Sequence, residues 1–160
     1  MAKPRRISHF SYLGPYRYFL TICTKTRVMA FLDDAVATQT LGHFLITATD
    51  EGFAVLAYCL MPDHVHLLVE GLTDESDFRR FVKIAKQRSG FPFARTAGQP
   101  LWQDGYFERV LRQDEDSKAI ARYILENPVR AGIVEWPTGY RYLGSAVWDI
   151  ETLLQGTART

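Results

Sequence analysis

An excess of charge of either sign is missing from this chain: 19 Lys and Arg stand against 18 Asp and Glu, a formal net charge of +1 over 160 residues. A uniformly basic field that would hold nucleic acid by bulk charge is therefore excluded, and any polyanion must be met by a local patch. Long apolar runs are missing too. No window approaches the ~18 consecutive apolar residues of a membrane span, and the basic start (Lys3, Arg5, Arg6) leads into no uninterrupted apolar segment, so neither a membrane helix nor a secretory leader is expected. The chain has two cysteines, Cys23 and Cys59, each alone in an apolar, strand-like setting without Cys-x-x-Cys spacing. That excludes a zinc finger and fits reduced, buried thiols of a soluble cytoplasmic protein. Repeats, low-complexity tracts and linkers are absent, so a single domain over residues 1–160, with its core at about 16–148, is expected.

What is present is a sequence of alternating periods. Tyr16 to Thr24 is rich in aromatic and β-branched residues after Gly14-Pro15 and predicts a strand. From 33 to 50 the period becomes helical, with Asp33 or Asp34 as cap, Val36, Leu41, Phe44, Leu45 and Ala48 as the apolar stripe and Gly52 as the stop. Phe53 to Leu60 and His64 to Glu70 predict two antiparallel strands around a Met61-Pro62-Asp63 turn. Thr73 to Arg88 predicts a second helix, opened by Asp74 or Ser76, with Phe78, Phe81, Val82, Ile84 and Ala85 buried. Ser89 to Pro100 reads as a loop and Leu101 to Arg112 as a fourth strand. The order is β-α-β-β-α-β, an α+β, ferredoxin-like antiparallel sheet with both helices on one face. A third helix from about Asp116 to Asn127, broken at Pro128, is placed to cross the open face. Trp136 to Trp148 reads as irregular, and the last ten residues or so as a frayed tail.

Within the third predicted strand, His64 and His66 stand two apart, so both project from one face while Val65 points to the other. Neutral imidazoles are costly to bury without partners and are good ligands for divalent ions, which makes the pair a candidate bidentate metal site. On the third predicted helix Tyr123 and Asn127 stand four apart, placing a phenol and an amide on one face. A phenol is a poor nucleophile at neutral pH. It becomes usable against a phosphodiester when a divalent cation polarises the phosphate. The nitrogen and oxygen donors of His64, His66 and Asn127 suit Mg2+ or Mn2+ better than a structural zinc.

His64-Val65-His66 after the Met61-Pro62-Asp63 turn, Leu101-Trp102-Gln103 to Tyr106-Phe107-Glu108, and Tyr123 followed by Glu126-Asn127-Pro128-Val129-Arg130-Ala131-Gly132 together resemble the single-tyrosine HUH transposases, and within them the REP-associated tyrosine transposases. The resemblance runs from about Tyr16 to Tyr142. It implies metal-dependent cleavage and strand transfer of single-stranded DNA, through a covalent 5′-phosphotyrosine that leaves a free 3′-hydroxyl, beside a REP-like hairpin. Carried over, Tyr123 is the nucleophile and His64, His66 and Asn127 the metal ligands. It leaves open a monomer or a homodimer that exchanges the tyrosine helix.

DNA-binding cations are sought in Arg5 and Arg6 of the basic arm, in Lys83, Lys86 and Arg88 along the second helix, and in Arg122 and Arg130 beside the tyrosine. Glu108 is a candidate to hold a histidine from behind. Packing readings stand beside these: the histidines as core residues, Tyr123 as a helix-sheet contact, Asn127 as the cap of a new turn at Pro128. Two alternatives to the transposase also follow from the same residues, a hairpin-binding module without chemistry and a metallohydrolase that activates water instead of Tyr123.

Overall fold

The computed structural model describes residues 9–156, so the candidate DNA contacts Arg5 and Arg6 lie outside the described residues. The first half follows the periodicity. β1 (Arg17–Cys23) leads through two single 3₁₀ turns to α1 (Asp34–Asp50), whose N–H groups at Ala35 and Val36 donate to the Asp33 carboxylate. β2 (Phe53–Met61) and β3 (His64–Gly71) then form a tight hairpin around Pro62-Asp63, with a bulge between Val55 and Ala57.

α2 runs Phe78–Ala97, beginning later and ending nine residues further on than the pattern predicts. Ser76 does not cap it: its hydroxyl accepts from the N–H groups of Leu72 and Thr73 and donates to the Gly52 carbonyl, closing the turn after β3, while Asp77 caps the helix. The loop expected from Ser89 is helix because Ser89 is buried and accepts from Trp102 Nε1 at 2.9 Å, and Trp102 packs against Phe31 and Phe44. That packing outweighs Gly90 and Pro92, each of which weakens a helix locally without forbidding it. Gly98, with φ +71°, supplies the left-handed stop. With Leu101 and Trp102 drawn into the core, the fourth strand shrinks from the predicted twelve positions to β4 (Phe107–Val110).

The third helix is α3 (Ser117–Leu125), capped by Asp116, and the chain re-enters a separate short helix, α4 (Asn127–Arg130), across Glu126. β5 (Leu143–Gly144) pairs with Tyr58 and Cys59, so the stretch expected to be irregular adds a fifth strand. The tail is not frayed through residue 155: α5 (Ile150–Gln155), capped by Asp149, buries Leu153 and Leu154.

Sheet order is β4-β1-β3-β2-β5 with every pairing antiparallel, the predicted ferredoxin-like arrangement plus one edge strand. Alternation on β3 divides the core. Val65, Leu67 and Val69 join Phe44, Phe78 and Phe81 under α1 and α2, whereas Leu68 joins Ala57, Cys59, Met61, Ala121, Ile124, Leu125, Leu153 and Leu154 on the opposite face. α3 therefore crosses the face that two helices alone would leave open. Its lead-in is tied to the sheet by Arg17, which donates to the carbonyls of Arg112 and Glu115 and to Ser117 Oγ.

Candidate active site

His64 and His66 lie on the α3 side of the central strand, flanked in register by Cys23 and Thr21 of β1 and by Met61 and Cys59 of β2. The two Nε2 atoms are 3.1 Å apart. Each Nδ1 is held from behind: that of His64 by Asp63 Oδ1 at 2.7 Å, that of His66 by Thr21 Oγ1 at 2.8 Å. With Nδ1–H of His64 donating to the carboxylate, its Nε2 presents a lone pair. The Thr21 hydroxyl then sets the other ring. If it donates, His66 Nε2–H donates across to His64; if it rotates to accept, both Nε2 lone pairs converge on one point. Two nitrogens each about 2.1 Å from an octahedral ion and at right angles stand about 3.0 Å apart, so the spacing fits a pair of adjacent ligands. Among the described residues no group of three or more His, Cys, Asp or Glu is arranged to hold a metal ion, which leaves further positions to an amide, water or substrate oxygen.

Burial first, and then the positive field of His64, Arg130 and Arg27, pushes the His66 imidazole down to about 3. His66 is therefore neutral, the form that binds metal, throughout the physiological range. The sign of the stability effect follows. An unfolded histidine titrates near ~6.5, so between that pH and about 3 the unfolded chain binds more protons and folding is weakened as pH falls. In chelator, the difference in unfolding free energy between wild type and His66→Gln is expected to shrink below pH 6.5 by up to about 1.4 kcal/mol per unit. Urea melts at pH 4 to 7.5 measure it, and a difference flat with pH would mean an ordinary, protonatable His66.

The histidines open into a cavity of about 450 Å³ lined by Thr21, Cys23, Arg27, His64, His66, Gln103 and Phe107. Both cysteines are free and buried as expected, and burial raises both thiols, Cys59 to about 12. Tyr123 does not line this cavity. It is 56% exposed and, with Phe19, Arg109, Ala119 and Ile120, borders a neighbouring hollow. Phe19 of that hollow has its ring 5.6 Å from that of His66. Asn127 is not on the tyrosine helix, as its four-residue spacing predicts, but opens α4, where its carbonyl accepts from Ala131.

The predicted cations are dispersed. Arg130 lies 3.8 Å over the Tyr123 ring and donates to the Tyr123 carbonyl at 2.7 Å. Lys86 donates to the carbonyls of Gln103 and Gly105, and Arg88 pairs with Asp50 and Thr47. Arg122 approaches Asp116 at 4.0 Å beside α5. Lys83 is exposed and borders a groove with Arg79, Lys86 and Tyr106. Glu108 points to the other face of the sheet and accepts from the Tyr12 hydroxyl, so it holds neither histidine. The residues that do, Asp63 and Thr21, are not singled out by the sequence. Asp63 reads there only as part of a turn, and Thr21 becomes visible only through the β1–β3 register.

The ferredoxin-like sheet, with paired histidines on its central strand and a helix carrying Tyr123 across that face, agrees with a transposase. The profile of the family described as IS200-like transposase matches residues 14–127, more than half of the sequence, and the chain belongs to that family. Its curated relatives include a REP-associated tyrosine transposase of Escherichia coli K12, 27% identical over 149 residues, 88% of this chain and 86% of that protein. A candidate REP-associated tyrosine transposase of Haemophilus influenzae is 29% identical over 139 residues, 75% of this chain and 76% of that protein. Among solved structures, that of a REP-associated tyrosine transposase bound to a REP hairpin shares the fold at a TM-score of 0.71 and 23% identity, over 89% of this chain and 82% of that one.

Proposed function

We propose that this transposase cleaves and rejoins single-stranded DNA beside a REP-like hairpin through a 5′-phosphotyrosine on Tyr123, with Mg2+ or Mn2+ held by His64, His66 and Asn127. The observation that carries the reading is the convergence of the two Nε2 atoms, 3.1 Å apart, on the sheet face that the tyrosine helix crosses. A bound ion would supply Lewis-acid polarisation of the phosphate. Tyr123 Oη forms the new bond to phosphorus as the P–O3′ bond breaks; the phenol gives up its proton and the departing 3′ oxygen takes one up. The phosphotyrosine keeps the energy of the phosphodiester, so attack by an incoming 3′-hydroxyl reverses the step and the same site transfers strands. One feature supports attack from this helix: Arg130 both covers the Tyr123 ring and bears on His66.

The reading is tested with a 3′-labelled hairpin carrying a single-stranded tail and with its full duplex, each in Mn2+. Label attached to protein is expected from the first and none from the second, because in-line attack needs a flexible phosphodiester that a duplex partner strand would block. With a net charge of +1 the binding rests on a few cations, and log affinity should fall with log salt with a slope of about 3 to 5, at about 0.7 per phosphate. Equal cleavage of both forms would sink the single-strand reading, and cleavage without attached label would favour activated water.

A further inference from the structure

We propose that Asp63 is a positioning residue for both halves of this site: one carboxylate oxygen holds His64 for the ion, and the other holds Arg27, whose guanidinium is a contact for the scissile phosphate at the cavity wall. The inference rests on the metal-dependent cleavage proposed above. Its starting point is the geometry of a single side chain. Oδ1 lies 2.7 Å from His64 Nδ1 and Oδ2 lies 2.9 Å from Arg27 Nε, so one carboxylate joins two groups that line the same cavity. Donation from Nδ1 to a carboxylate is how a ligating imidazole is commonly oriented, because it fixes the tautomer and aims Nε2 at the ion.

Arg27 is more than the partner of a surface ion pair. Its side chain is half exposed, and Nη1 donates to Cys23 Sγ at 3.3 Å. A guanidinium has five N–H donors, and these two contacts leave a phosphate-sized fork beside the histidines. The backbone supports the same reading. Thr26 and Arg27 are consecutive non-glycine residues with φ of +54° and +57°, a left-handed pair that costs conformational energy. Thr24 clamps this turn: its hydroxyl donates to the Val28 carbonyl at 2.7 Å, its N–H donates to the Asp63 carbonyl, and its own carbonyl accepts from Arg27 N–H. A strained turn locked to the backbone of Asp63 brings the guanidinium back over the cavity, which a solvent-facing arginine would not require. Ion and phosphate contact are thereby held at one fixed spacing by one residue.

The test measures Mn2+ affinity without DNA, by electron paramagnetic resonance of the free ion, and cleavage kinetics on the hairpin-tail oligonucleotide. Asp63→Ala is expected to weaken Mn2+ binding about 10- to 100-fold, and Asp63→Asn to restore it to within about three-fold, because its amide oxygen still accepts from Nδ1. Arg27→Gln should leave Mn2+ affinity within about two-fold while cutting kcat/KM at least about ten-fold and lowering the salt slope by about 0.7, the share of one phosphate. Asp63→Asn should share that kinetic loss, since its amide cannot hold Arg27 as a carboxylate does. If Asp63→Ala fails to fold, this split between retained ion and lost cleavage in Asp63→Asn decides. Wild-type Mn2+ affinity in a folded Asp63→Ala, or unchanged kinetics and slope in Arg27→Gln, overturns the proposal alone. A wild-type protein that takes up no Mn2+ overturns the ion assignment and this inference together.

Discussion

Tyr123→Phe is expected to lower strand cleavage by roughly 10³-fold or more and to eliminate the protein-linked label, while hairpin binding stays within a few-fold. The substitution removes the one oxygen that would form the bond to phosphorus. It keeps the ring, and the ring is what Arg130 covers at 3.8 Å. Tyr123 is more than half exposed, so the change should also leave the unfolding midpoint nearly unmoved. Gel analysis of labelled DNA after denaturation reads the covalent product directly, and a parallel binding titration separates chemistry from recognition. Cleavage retained in the Phe variant would remove Tyr123 from the mechanism and transfer the nucleophile's role to water.

His64→Ala and His66→Ala should each lose cleavage by roughly 10²- to 10⁴-fold with Tyr123 intact, since polarisation of the phosphate accounts for several kcal/mol of a reaction of this kind. The two differ in their cost to the fold. Both rings are partly buried, but His66 lies further along the strand, with its ring near Phe19 and bonded to Thr21, so its loss should destabilise the protein more than loss of His64 beside the hairpin turn. EDTA should reproduce the double variant in the wild-type protein, with activity restored by excess Mn2+. Full activity in chelator would show that this face of the sheet works without an ion.

The parts of the fold that were legible in the sequence are those where local pattern and tertiary packing agree. The aromatic and β-branched run of β1, the Asp33 cap with its helical stripe, and the hairpin around Pro62-Asp63 each need only short-range rules. Placing His64 and His66 together needs only the two-residue period of a strand. Failures occur where distant contacts overrule local signals. Gly90 and Pro92 announce a loop, yet the Ser89–Trp102 hydrogen bond and the packing of Trp102 on Phe31 and Phe44 hold them in α2. Leu153 and Leu154 look like the end of a tail until α3 offers them a surface. Asn127 departs from the helical spacing because the chain breaks at Glu126 and restarts as α4. Asp63 and Thr21 are not legible in the sequence because a residue that orients a ligand carries no spacing of its own: Asp63 is simply the next residue to His64, and Thr21 meets His66 only across the sheet.

The exposure of Tyr123 has an evolutionary side. The histidines sit on the central strand, where alteration disturbs packing and register, but the tyrosine hydroxyl contributes little to holding the chain together. On the mechanism proposed above, a lineage could lose strand cleavage by one substitution at Tyr123 with little cost in folding, and keep its hold on a DNA hairpin. Selection for stability would not register the change; only selection for mobility would. With Tyr123 as the proposed nucleophile, the step from a mobile element's enzyme to a resident hairpin-binding protein would be a single side-chain oxygen wide.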